Sequence, residues 1–184
     1  APNYEFLQGD IRDPQILARA IEGAQATVHL AAYVMVSEKA SPAEERMMEE
    51  LNYQATRHLV DLCRARLVQR FIFTSTCSNY GVTAGQMATE DAPLQPTSAY
   101  ARSKVKAEEY VLAATSASFH PTVLRLATVF GYSPRMGFNS LLHQFIYDAV
   151  VKKSLSVRGP HSWRPFVHID DVVGAILLVL KAAP

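Results

Sequence analysis

The sequence predicts an α/β protein built on a parallel sheet, and three observations carry that reading. Short apolar runs of strand length alternate with stretches of helical periodicity, the rhythm of successive strand–helix–strand units. The strand candidates end in glycine, alanine or hydroxyl residues, where parallel sheets gather their ligands. The chain has 184 residues, 49% of them hydrophobic and 19% charged, an ordinary balance for one compact domain, or one domain with part of another, that needs no disulfide or metal staple.

Tyr4 to Gln8 reads as the first strand, closed by Gly9-Asp10. A short helix follows from Pro14, whose ring suits a first turn, to Ile21, with Asp13 as its cap. Thr27 to Ala32 is the second strand. A long helix spans 41–66, opened by Ser41-Pro42 and by glutamates at its positive end. Arg70 to Thr76 is a buried strand, and the loop from Asn79 to Pro96 is long enough to be functional. A helix over 98–115 is followed by a strand from Thr122 to Val129. Asn139 to Lys153 is helical, Leu155-Ser156-Val157 extended, and Asp170 is expected to cap a last helix reaching Lys181. Four core strands are therefore expected. No repeat or flexible linker interrupts them.

A net charge of +1 gives no reason to expect nucleic acid or a membrane surface as partner. The longest apolar run, Val172 to Leu180, is too short to span a bilayer. Cys63 and Cys77 lack metal-ligand spacing, no Cys/His cluster suggests a metal, and two thiols fit a reducing, cytoplasmic setting. The opening residues lack an initiator methionine and enter a strand almost at once, which reads as a chain entered in its middle.

The chemistry centres on Tyr100 and Lys104, the one tyrosine–lysine pair four residues apart. That spacing puts phenol and ammonium on one helix face, where the ammonium favours the phenolate. Thr76, twenty-four residues earlier at a strand end, adds a hydroxyl that both donates and accepts. The three make a site for moving a proton while a cofactor moves a hydride. The blander reading is a Thr74-Ser75-Thr76 strand end that hydrogen-bonds its own loop. Asp10 could accept from an exocyclic amine such as adenine's. The small Ala31-Ala32 pair either admits a ligand against the backbone or merely packs. Asn52, a polar residue in the long helix among Leu51, Ala55, Leu59 and Val60, is ordinarily an exposed position, a reading that periodicity alone does not exclude. Arg164 is a natural phosphate ligand, and His168 reads as a hydrogen-bonded structural histidine rather than a base.

Taken in order, these segments resemble the extended short-chain dehydrogenase/reductases, in the branch of NAD-dependent nucleotide-sugar epimerases and dehydratases. The resemblance implies a Rossmann-like doubly wound sheet without its first βαβ unit. It divides the chain into a partial NAD(P)-binding domain, 1–131, and a partial substrate-binding region, 132–184. It assigns Thr76, Tyr100 and Lys104 as catalytic residues. It lines the cofactor with Asp10, Ile11, Leu30, Ala31, Ala32, Asn52, Thr74, Ala127 and the catalytic pair, Lys104 holding the nicotinamide ribose. It places Thr76, Thr128, His143 and Arg164 against the nucleotide sugar, with Ser133-Pro134-Arg135 in the adjoining loop. The cofactor implied is NAD, with NADP open. The partner implied is a second copy, paired through helices 41–66 and 98–115.

Three departures qualify the resemblance. The eight glycines contain no Gly-x-x-Gly-x-x-Gly, so the family's pyrophosphate-binding unit would precede Ala1. The carboxyl end also stops early. The sequence is therefore expected to be part of a longer enzyme and to bind dinucleotide poorly by itself. His143 stands where relatives often carry a substrate-facing asparagine. The 4,6-dehydratases carry Asp-Glu after the catalytic threonine; here Cys77-Ser78 follow, neither a useful acid at neutral pH. The expected function is a nucleotide-sugar 4-epimerase working through a transient 4-keto sugar. A 4-ketoreductase or dehydratase is the alternative, and a non-catalytic dinucleotide-binding protein of the same fold a further one.

Overall fold

A computed structural model describes residues 4–34, 40–83, 87–134, 136–138, 140–157 and 163–183. Arg135 and the expected helix start at Asn139 lie outside them. Two compact units are present: one comprises the described residues through Arg125 with Ala182 and Ala183, the other Leu126–Lys181. The expected boundary after Gly131 falls inside the second unit.

In the first unit, α1 (Pro14–Ala20) starts as its sequence dictates: the Asp13 carboxylate accepts from the backbone N–H of Gln15 at 2.9 Å, and Pro14 occupies the first turn. β1 (Ala26–His29) lies parallel to β2 (Arg70–Thr76), with Ala26 opposite Arg70 and His29 opposite Phe73. β3 (His120–Leu126) completes a three-stranded sheet in the order β1-β2-β3. The helix expected over 41–66 is α2 (Pro42–Met48), a π-helical turn (Glu49–Gln54) and α3 (Ala55–Ala65) in direct succession. Ser41 and Glu44 close a reciprocal capping box at its start. α4 (Ala99–Ala113) begins after Ser98, whose hydroxyl accepts from Ala101 N–H at 3.1 Å.

The core is continuous. Leu17 and Ile21 of the α1 region, Leu59, Val60 and Cys63 of α3, and Ala107 and Val111 of α4 pack with Val68, Phe71, Phe73 and Phe119. Cys63 is plain core, as its pattern indicated.

The second unit pairs β4 (Thr128–Phe130) in parallel with β5 (Phe166–His168). It also contains α5 (Leu141–Tyr147), prolonged by a π turn (Asp148–Lys152), and α6 (Ile169–Lys181). No helix among the described residues is long and apolar enough to cross a membrane.

Four element expectations are corrected. Tyr4 to Gln8 forms no strand: it has no ladder partner among the described residues, and Tyr4 and Phe6 are 78% and 73% exposed. Apolar alternation alone does not hold an extended segment without a neighbour. The strand expected over Thr27 to Ala32 is β1, which ends at His29 and leaves Leu30 to Ala32 outside any strand. The expected 122–129 strand is two strands, β3 and β4, broken at Ala127. Asp170 does not cap α6, because β5 runs directly into the helix. The N–H of Asp170 is taken instead by Nδ1 of His168 at 3.2 Å.

Candidate active site

Thr76 is the last residue of β2 and caps the 3-10 turn Cys77–Tyr80, its Oγ accepting from Ser78 N–H at 3.1 Å. That bond occupies a lone pair and leaves the Thr76 O–H to donate. Thr74 donates its hydroxyl to the carbonyl of His29 at 3.1 Å, and Ser75 Oγ accepts from Asn79 Nδ2 at 3.0 Å. Ser75 and Thr76 thus bond the loop that follows the strand, while Thr74 bonds across to β1.

Tyr100 and Lys104 lie in the first two turns of α4, which packs on both β2 and the 3-10 turn. The Lys104 side chain is buried, its Nζ 3.9 Å from the centroid of the Phe73 ring. Burial pushes the Lys104 ammonium down to about 8, partly opposed by the Glu108 carboxylate one turn along. The phenol behaves otherwise than the spacing implied. Burial, and after it Cys77, pushes Tyr100 above its ordinary value, so desolvation dominates and the group is a neutral phenol at neutral pH. Burial raises the Cys77 thiol too.

Asn52 is the largest surprise of position. It is fully buried in the π turn. Its Oδ1 accepts from Tyr33 N–H at 2.7 Å, and its Nδ2 donates to Tyr33 C=O and to Ser103 Oγ, each at 3.0 Å. Ser103 donates its own proton to the Tyr100 carbonyl at 2.8 Å. One amide therefore ties the segment after β1 to the helical turn holding Tyr100 and Lys104.

His29, read only as part of a strand, completes this lattice. Its Nε2 lies 2.8 Å from Thr56 Oγ, and that hydroxyl donates to the Asn52 carbonyl at 2.8 Å. With its one proton spent, Thr56 must accept, so His29 carries its proton on Nε2. Burial first, then the Lys104 charge, pushes the imidazole down to about 3, so it is neutral throughout the physiological range.

The residues expected to line a cofactor lie in two places. Leu30, Ala31 and Ala32 follow β1, and Leu30 and Ala31 are exposed. Asp10 is exposed and paired with Arg12, whose Nη2 lies 2.7 Å from its carboxylate. The Arg12 side chain and backbone N–H hold the acid down to about 2. Arg12 N–H and Nε reach one Asp10 oxygen, and Nε and Nη2 the other, so a ligand amine would share or replace one of these contacts. Ile11 is half-buried against the core. Small residues at a parallel-strand end, an ionised carboxylate at Asp10 and a buried ammonium at Lys104 are groups of the kind a dinucleotide uses.

In the second unit, Ala127 and Thr128 are half-buried, and Thr128 N–H donates to the Pro165 carbonyl at 3.1 Å. Arg164 is exposed. His143 uses both ring nitrogens on backbone: Nε2 accepts from Gly131 N–H at 3.3 Å, and Nδ1 lies 2.9 Å from Gly137 C=O. In this structure its ring braces the loop after β4.

Sequence reasoning missed one group altogether. Glu108, fully buried in α4, accepts from Arg125 of β3 through Nε at 2.9 Å and through Nη2, and from Asn79 Nδ2 at 3.1 Å. Arg125 also donates to Tyr80 Oη at 2.9 Å and to Glu90 C=O at 2.8 Å. The signal available was helical phase: 100, 104 and 108 share one face of α4.

The profile of the NAD dependent epimerase/dehydratase family matches residues 1–184. The low-salt glycan biosynthesis protein Agl12 of Haloferax volcanii is 30% identical over 181 residues, covering 98% of this chain and 57% of that protein. The crystal structure of DesIV, a dTDP-glucose 4,6-dehydratase from Streptomyces venezuelae with NAD and TYD bound, superposes with a TM-score of 0.87 at 31% identity, over 99% of this chain and 56% of that one. The UDP-glucose 4-epimerase of Thermus thermophilus, in complex with NAD, gives 0.82 at 28% identity, over 100% and 62%. The chain thus spans little more than half the length of these relatives.

Proposed function

Because the chain belongs to the NAD-dependent epimerase/dehydratase family, we propose that this protein is an NAD-dependent nucleotide-sugar epimerase that inverts carbon 4 through a transient 4-keto sugar. The observation that carries the reading is the packing of α4, with Tyr100 and Lys104, against the strand end bearing Thr76.

Asp10, Ile11, Leu30, Ala31, Ala32, Thr74, Lys104 and Ala127 would hold NAD, which when bound supplies a hydride acceptor that later returns the hydride. Asn52, fully buried with its amide committed to Tyr33 and Ser103, would act on the cofactor only through the segment after β1 that it fixes. Thr76 donates its O–H to the reacting sugar oxygen. Tyr100, a neutral phenol in the free protein, must first release its own proton to water; the phenolate then takes the proton of the sugar hydroxyl on oxidation, and the phenol gives it back to the keto oxygen on reduction. Lys104, still mostly protonated at pH 7 because it titrates near 8, favours the transient phenolate. Its neutral His29 neighbour adds no second charge. Thr128, His143 and Arg164 are proposed to face the nucleotide sugar, Arg164 taking the diphosphate; for His143 this requires release of a backbone bond.

Dehydration is the second reading, favoured by the dehydratase among the relatives. Cys77 and Ser78 weigh against it, since neither can protonate a leaving hydroxyl at neutral pH and burial raises the Cys77 thiol further. A ketoreductase would use the same triad with NADPH. The protein is further proposed to work in the cytoplasm, as a homodimer paired through α2–α3 and α4.

The test is incubation with NAD and UDP- or dTDP-hexoses. Epimerisation leaves the sugar nucleotide's mass unchanged while its carbon-4 configuration inverts; loss of one water indicates dehydration. Tyr100→Phe should lower turnover by roughly 10²–10⁴-fold with the fold intact by circular dichroism. Unchanged turnover would remove the proposed proton carrier.

A further inference from the structure

We propose that Glu108 is a positioning residue of this site: its carboxylate fastens the Thr76 strand end to the helix carrying Tyr100 and Lys104, and stands one helical turn from the Lys104 ammonium. Only the rate measurement below depends on the epimerase reading.

The geometry carries the first half. One Glu108 oxygen receives two donors of the Arg125 guanidinium, and the other receives Asn79 Nδ2. Asn79 Nδ2 also reaches Ser75 Oγ, the residue before Thr76. Arg125 continues to Tyr80 Oη and Glu90 C=O. Thr76 therefore sits between two fixed points, Ser75 and Asn79, both referred to a single carboxylate. The Glu108 side chain is 2% exposed and that of Arg125 18%, so water competes little for these contacts. A buried charge with both its oxygens committed defines one arrangement of the chain around it.

The second half follows from charge. Lys104 is faced by His29 from β1 and the Phe73 ring from β2, with Glu108 on its own helix. Tyr100 shares that helix face and is influenced by Cys77 from the 3-10 turn. Arg125 from β3 meets Glu108 on the side of the strand end. Of the groups facing Lys104, Glu108 is the anion; His29 is neutral and the Tyr100 phenol is protonated. Neutralising Glu108 removes the opposition to burial and lowers the pH at which Lys104 loses its proton.

The experiment follows the carbon-13 shift of Lys104 Cε against pH, assigned with Lys104→Arg, in wild type, Glu108→Gln and Glu108→Asp. The Gln variant should titrate about one pH unit lower, and Asp should restore the midpoint. A folded Gln variant whose midpoint does not move would overturn the proposal. Should Gln fail to fold, the Asp variant decides. Its shorter carboxylate should leave the midpoint near wild type while amide exchange at Ser78, Asn79 and Gly81 quickens several-fold, and unaltered exchange would overturn the fastening. With a sugar nucleotide, Glu108→Gln should lower kcat about tenfold with KM held, the alkaline limb moving to lower pH. A wild type without turnover would defeat the epimerase reading and leave the Lys104 titration standing.

Discussion

Acidification should destabilise the protein through His29. Its unfolded value is near 6.5 and burial holds it at about 3 in the fold. Between those values the unfolded chain binds the additional proton, so stability rises with pH through this window and is lost as pH falls from 6.5 toward 3. The linkage relation, RT ln[(1 + 10^(6.5−pH))/(1 + 10^(3−pH))], gives about 2 kcal/mol of lost stability at pH 5 and about 0.2 kcal/mol at pH 7. His29→Gln keeps a donor within reach of Thr56 Oγ but cannot be protonated. Urea unfolding of both proteins at pH 7 and pH 5 isolates the effect, because other titrating groups are common to the two. Wild type should lose about 2 kcal/mol more than the variant over that interval. Equal losses would mean that His29 takes up its proton without leaving the core, and that burial does not hold the imidazole neutral.

Asn52→Ala removes three hydrogen bonds, the one to Ser103 buried and the two to Tyr33 partly so, and leaves the Tyr33 backbone groups to find new partners. It should cost about 3 kcal/mol in urea unfolding, and amide exchange at Tyr33 should quicken more than at β2. Gly81→Ala places a Cβ 2.1 Å from the Gln95 carbonyl oxygen at a residue with φ of +68°. A loss of at least about 2 kcal/mol is expected, read as a lower urea midpoint; a neutral substitution would mean the loop after Tyr80 yields at no cost.

Local chemistry was legible where it is short-range. The Asp13 cap, the helix openings at Ser41-Pro42 and at 98, and the β2 span all follow from residues close in sequence. The family resemblance was equally legible, because the motifs occur in order along one chain. Asn52 escaped because a polar side chain in a helix is ordinarily read as exposed, although it stands three, seven and eight residues before Ala55, Leu59 and Val60 and so shares their face. Glu108 escaped because a lysine–glutamate pair four apart looks like a surface ion pair; its true partner, Arg125, comes 17 residues later on another strand. The acidified phenol was inferred from spacing, which registers a neighbouring charge and is blind to desolvation.

The π turn has a consequence for how this helix tolerates change in length. Each residue of an α-helix advances the chain by about 100°, so Glu49–Gln54 acts as a phase shifter between two segments of different angular setting. Deleting one residue there would regularise the hydrogen bonding and improve local helicity. The same deletion would swing Met48 and everything before it around the axis relative to Thr56, Leu59 and Cys63, and carry the Asn52 amide away from Tyr33. A straighter rod would be won at the expense of alignment between its two ends.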